Sequence, residues 1–168
     1  MTEIGAALDG VADAQPVYLS AAEKAAVLRD LAALEARVVE LRLRVMAASG
    51  DVAEETGARD IAAWYAHHTL TEPVEARADG RLATSLDRDR PQLAEALAAG
   101  RCSVAQARVI DQCLAELPVR VGPETVATAE STLVGYAADF APSQLRRLGA
   151  GSSTWSPPRS PRPRTPVD

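Results

Sequence analysis

Asparagine is absent from this chain of 168 residues, lysine occurs once, at Lys24, and aromatic residues amount to only 4%. A core without aromatic bulk has to be built from Ala, Leu and Val. The chain is 47% hydrophobic, enough for one domain with a real interior. Runs of alternating β-branched residues are also missing, while strong helix formers dominate. Together these features argue against a sheet and predict an all-α fold. No stretch approaches the roughly 20 apolar residues of a membrane span. The first residues, MTEIGAALDG, offer neither the basic start nor the apolar run of a signal peptide.

Cysteine is scarce too, with only Cys102 and Cys113. On one helix they would lie about 15 Å apart along the axis, beyond the roughly 7 Å that a disulfide spans. The expectation is two free thiols and a reducing, cytoplasmic location. Cys102 precedes a predicted helix start, which would lower its pKa modestly; a structural thiol is the plainer reading. The nucleophile-elbow, phosphate-loop, C-x-x-C and H-E-x-x-H patterns do not occur. His67 and His68 are adjacent, so on a helix they diverge by about 100° and do not face one ion. A His-Asn-His metal nuclease cannot be assembled from a chain without asparagine. The sequence therefore predicts no enzymatic activity, no cofactor, no metal and no small-molecule ligand.

The net charge is −5. The last 18 residues hold Arg159, Arg162 and Arg164 against Asp168, which leaves −7 on the first 150. That is the wrong overall sign for a non-specific grip on phosphate, although a local basic face stays open.

What the chain does hold is helix punctuation. Residues 1–19 read as a loosely ordered start, with a short helical turn around Ile4, Ala7 and Leu8. Ser20 and Glu23 form a capping-box pattern, and a long helix follows to about Ser49, with Gly50 at C′. Within it Val27, Leu31, Leu34, Val38, Leu41 and Val45 recur at spacings of four and three. Such a stripe is either the core face of a bundle helix, the favoured reading, or a coiled-coil seam for self-association. Residues 50–59 read as a polar connection. Asp60 caps a helix to about His68, with Trp64 as a core plug. Thr71 and Pro73 open a helix to Leu86, with Val74, Ala78, Leu82 and Leu86 inward. Asp87 to Arg90 read as a solvated turn.

Pro91 opens the next helix and Gly100 closes it; Ser103 caps another that ends at Pro118. Ala107, Ile110, Leu114 and Leu117 form its buried row, with Ala105, Arg108, Gln112 and Glu116 opposite. This helix-turn-helix outline makes Arg108 and Gln112 candidates for base edges and Arg101 for a phosphate. Three acids in the same segment, Glu95, Asp111 and Glu116, keep it locally neutral, as in an ordinary bundle hairpin. Helices near 124–139 and from Pro142 complete a single bundle of about six helices spanning 20–150. No repeat of fixed period is evident.

The stretches AALEARVVELRLRVMAAS, GARDIAAWYA, LAAGRCSVAQARVID and APSQLRRLGA occur in the order of one family. Over roughly residues 20–150 the chain resembles the 13E12 repeat family, also described as domain of unknown function 222. The most specific piece runs from Ala96 through Gly100, Ser103 and Gln106 to Ile110. The resemblance implies a helical domain that precedes a C-terminal HNH endonuclease domain, and hence a DNA-processing context. The nuclease residues have no counterparts here. The implied reading is a truncated, catalytically silent relative with DNA association; the alternative is a helical interaction module that dimerises through the 27–45 stripe.

Residues 151–168, GSSTWSPPRSPRPRTPVD, differ from everything before them and read as a disordered tail. They also fit a shifted reading frame: serine TCN codons read out of step give Phe, Leu, Ile or Val, and the hidden frame can spell ILDVVAPEIAEA. The hypothesis is a frameshift near Gly149 to Gly151. The nucleotide sequence decides it, and a shifted frame that soon meets a stop codon removes it.

Overall fold

The computed structural model describes residues 2–118 and 121–150. Among them there are nine α-helices and no strand: α1 (Thr2–Asp9), α2 (Ala21–Ala48), α3 (Gly50–Thr56), α4 (Ile61–Thr69), α5 (Pro73–Arg88), α6 (Pro91–Ala98), α7 (Val104–Ala115), α8 (Pro123–Tyr136) and α9 (Pro142–Ala150). A single 3₁₀ turn, Pro16–Tyr18, precedes α2. The all-α expectation holds, with more helices than the six or so predicted. The 151–168 tail lies outside the described residues.

Local chemistry starts most helices where the sequence places the signals. The Ser20 hydroxyl accepts from the Glu23 amide and the Glu23 carboxylate accepts from the Ser20 amide, closing a capping box on α2. Ser103 and Gln106 repeat that arrangement on α7. Asp60 accepts from the Ala63 amide at 2.7 Å and caps α4. Gly100 sits at φ +70°, with Arg101 N–H donating to Ala96 and Gly100 N–H to Leu97, a Schellman end for α6.

Two expected boundaries differ. Residues 50–56 fold into α3 instead of a loop, and Gly50 opens this helix rather than closing α2. Gly57 at φ +68° supplies the stop. Thr71 does not cap α5: Glu72 takes the N-cap position without a side-chain bond, and the Thr71 hydroxyl pairs with that of Thr69. Pro73, with no N–H, already removes one of the donors a cap would serve.

The core joins α2, α5, α6, α7, α8 and α9. Leu43, Leu82, Leu93, Leu97, Ile110 and Leu145 are its largest fully enclosed side chains. Cys102 and Cys113 are both free and buried within it. α7 is central and contacts α5, α6, α8 and α9. Polar side chains tie helices that are distant in sequence. The Glu130 carboxylate of α8, 2% exposed, accepts from the Leu93 amide at 2.8 Å and so caps α6 from another helix. The Gln106 amide donates to the carbonyls of Ala137 and Phe140 at the end of α8. Ser85 bonds Asp111 across α5 and α7. Trp64 is half-buried outside the main core cluster and stacks on His68 with ring centroids 4.3 Å apart, so it is not the expected core plug. Val74 is likewise exposed, and α5 buries Ala76, Asp79, Leu82, Ala83 and Leu86 instead.

Candidate interaction surface

α2 carries two faces. Ala36, Glu40, Leu43 and Met46 are buried, with Val39 and Ala47 packed beside them. At about 100° per residue these positions centre on the side of the helix opposite Val27, Leu31, Leu34, Val38, Leu41 and Val45. The predicted stripe therefore does not enter the core. Five of its six residues are exposed, from 43% for Val27 to 55% for Val45, and Leu41 is partly covered. The favoured sequence reading, a core face, is corrected. Leu43 and Met46 fill the core from the other face, and ahead of them the packed residues are small. Ala33 and Ala36 let α2 approach the α6–α7 turn closely: a Cβ on Gly100 would stand 2.8 Å from the Ala33 carbonyl oxygen. Leucine at those positions would hold the helices apart.

The first turns of α2 stand clear of the bundle as far as Leu31; Ala33 then packs on Gly100, and Ala32 and Glu35 line a cleft with Ser103. No residue from Ala21 to Glu35 is buried. Contact with the bundle begins at Ala32 and Ala33 and burial at Ala36, so about three turns of helix, some 16 Å at 1.5 Å per residue, extend with the stripe on one side. An isolated helix of that length is marginal in water.

Where α2 enters the bundle, a charged cluster holds it. Asp79 on α5 is 1% exposed and accepts from Arg42 of α2 at 2.8 Å and from Arg108 of α7. Arg42 also donates to the Tyr65 hydroxyl at 3.2 Å, with its guanidinium 5.5 Å from that ring's centre. One buried carboxylate thus links three helices, with two charges facing it as burial requires. Arg42 and Arg108 line a cleft of about 450 Å³ together with Glu35, Glu75 and Ser103. The two acids offset the arginines, so the cleft has no clear preference for an anion.

The candidate nucleic-acid residues are each engaged within the chain. Arg101 pairs with Glu95 at 3.2 Å, Gln112 donates to Glu116 at 3.1 Å, and Arg108 turns onto Asp79. The first two remain exposed and lie on the outside of the hairpin. His67 and His68 are exposed and edge to face, and no group of three metal-ligating side chains comes together among the described residues. Burial pushes the Cys102 thiol up to about 11, with Arg101 opposing weakly, so the modest lowering expected from its place before α7 is not found. Sequence reasoning missed Asp79 altogether; its only signal is an acid in the inward register of α5, level with Ala76, Leu82 and Ala83.

The fold and this surface define an all-α helical bundle with one projecting helix. The chain belongs to the family described as Domain of unknown function (DUF222), whose model matches residues 19–154. The match covers every helix from α2 to α9. Neither the curated proteins nor the solved structures include a match. No helix among the described residues is long and apolar enough to cross a membrane.

Proposed function

We propose that this domain is a non-catalytic helical interaction module that self-associates through the outward stripe of α2. The observation that carries this reading is the exposure of Val27, Leu31, Leu34, Val38 and Val45 along one side of a helix whose other side is packed. Full burial of a Leu or Val contributes about 1.5–3 kcal/mol, so covering a half-exposed one adds roughly 1 kcal/mol. A continuous apolar row of this kind marks a contact surface rather than scattered surface leucines. The 3–4 spacing is that of a coiled-coil seam. In the arrangement the resemblance implies, with a nuclease domain C-terminal to the helices, such a seam would bring two nucleases together. The hairpin of α6 and α7 supports direct DNA contact less well, because Arg101, Arg108 and Gln112 already have carboxylate partners.

Sedimentation velocity across roughly 1–100 µM tests the proposal, a range that reads association free energies down to about 5.5 kcal/mol in size. The wild-type chain should shift to a dimer with concentration. Leu34→Glu/Val38→Glu should remain monomeric with the same helical circular dichroism, since both side chains are outside the core. A wild-type chain that stays monomeric throughout, or a variant that associates equally well, sinks the proposal.

A further inference from the structure

The flanks of the stripe choose the orientation of the pair; this rests on the reading of α2 as a self-association seam. Take Leu31, Val38 and Val45 as a positions and Val27, Leu34 and Leu41 as d positions. The buried residues Ala36, Glu40, Leu43 and Met46 then fall at f, c, f and b, directly behind the seam. A second helix can lie on the a/d side without displacing the bundle. The neighbouring e and g positions are Glu23, Leu28, Asp30 and Glu35 in the first half of α2, and Arg37, Arg42 and Arg44 in the second. All are exposed except Arg42, which is half-buried on Asp79. The seam is therefore acidic at one end and basic at the other.

In a parallel pair, each g position faces the e position five residues on in the other helix. Asp30 would meet Glu35 and Arg37 would meet Arg42, each twice by symmetry, so every doubly charged flank pair is like-signed. Reversing one helix removes four such contacts. Leu31 then faces the partner's Leu41, Leu34 the partner's Val38, and Val27 the partner's Val45, which matches all six apolar positions in one register. Asp30 comes beside the partner's Arg44, twice; Arg44 also pairs with Glu40 of its own helix at 3.3 Å, and its side chain stays 66% exposed. Only Arg37 and Glu35 meet their own copies, once each at the two-fold axis. The helix dipoles also oppose one another in this arrangement. We propose that the occupant of the stripe is a second copy of this chain, bound antiparallel in that register.

Two measurements on the full chain test it. Val27→Cys and Val45→Cys chains carrying different tags, mixed and mildly oxidised, should yield mainly the 27–45 cross-link, because Cys102 and Cys113 are buried. Asp30→Arg should weaken the dimer roughly tenfold by placing Arg beside Arg44 in both symmetry-related contacts, and Asp30→Arg/Arg44→Gln should recover part of that loss without setting an acid beside Glu40. A dimer that gives mainly 27–27 and 45–45 cross-links, or that Asp30→Arg tightens, overturns the antiparallel arrangement while leaving self-association intact. A chain that never dimerises overturns both.

Discussion

Gly100 lies so close to Ala33 that a Cβ placed on it would stand 2.8 Å from the Ala33 carbonyl oxygen and 2.9 Å from the Ala33 methyl group. The same glycine holds φ +70°. It therefore answers two demands, a left-handed stop for α6 and a close seat for α2.

Gly100→Ala should cost about 2–5 kcal/mol, from roughly 1–2 for the left-handed backbone and 1–3 for the displaced neighbour. Gly57 supplies the control. It has φ +68° but nothing within 4 Å of a built Cβ, so Gly57→Ala should cost only the backbone share. Urea denaturation compares them, and equal losses would contradict the role given to Ala33.

Asp79→Ala should destabilise by about 2–3 kcal/mol. A sealed ion pair broken on one side loses about 3–5, but Arg42 and Arg108 keep side chains 37% and 40% exposed and can turn to water. Arg108→Ala leaves Arg42 on the carboxylate and should cost nearer 1 kcal/mol. Thermal melts of the two variants should keep that order; a neutral Asp79→Ala would show that the cluster does not hold the helices.

Cys102 predicts an alkaline effect. Burial raises its folded-state pKa to about 11, against roughly 8.5 for a free thiol. The folded chain keeps the proton after the unfolded chain has released it. The stabilisation is complete below the free-thiol range and is lost as pH rises toward 11, with a slope of up to about 1.4 kcal/mol per pH unit. Cys102→Ala should flatten that part of the stability curve. In the native chain both thiols should resist alkylation at neutral pH and react after unfolding, since burial also raises Cys113.

Leu70 predicts a gain. It is the one non-glycine residue with positive φ among the described residues, at 54°, and it is 92% exposed. Leu70→Gly should stabilise by up to about 1 kcal/mol by relieving the backbone without removing packing. A loss of stability would show that the side chain has a contact worth keeping.

What could be read from the sequence was local. Ser20 with Glu23, Asp60, Ser103 with Gln106, and Gly100 each act on residues within three to five positions, so their roles appear in the string itself. The face of α2 did not, because periodicity weighs large apolar residues, while Ala33 and Ala36 pack by being small. The stripe was legible as a stripe; which side of the helix met the bundle depended on α5 and on the turn at Gly100. The Asp79 cluster was illegible for a related reason. Its partners stand 37 and 29 residues away, and an acid in an inward register cannot be told from a misplaced surface residue until those helices meet. The same distance hid Glu130, whose acceptor role for the Leu93 amide spans 37 residues.

The pinning of α2 at Asp79 has a mechanical side. The helix is a beam with a free arm from Ala21 to Leu31 and a clamp that starts where Ala33 meets Gly100 and continues through Ala36 and Arg42. A load on the free arm, whatever applies it, has to leave through the clamp. There the Arg42 guanidinium passes it to Asp79 on α5, and the same carboxylate passes it to Arg108 on α7. Torque on the arm would thus reach the α6–α7 turn at Gly100 and the centre of the bundle at Asp79, alongside the packed Leu43 and Met46.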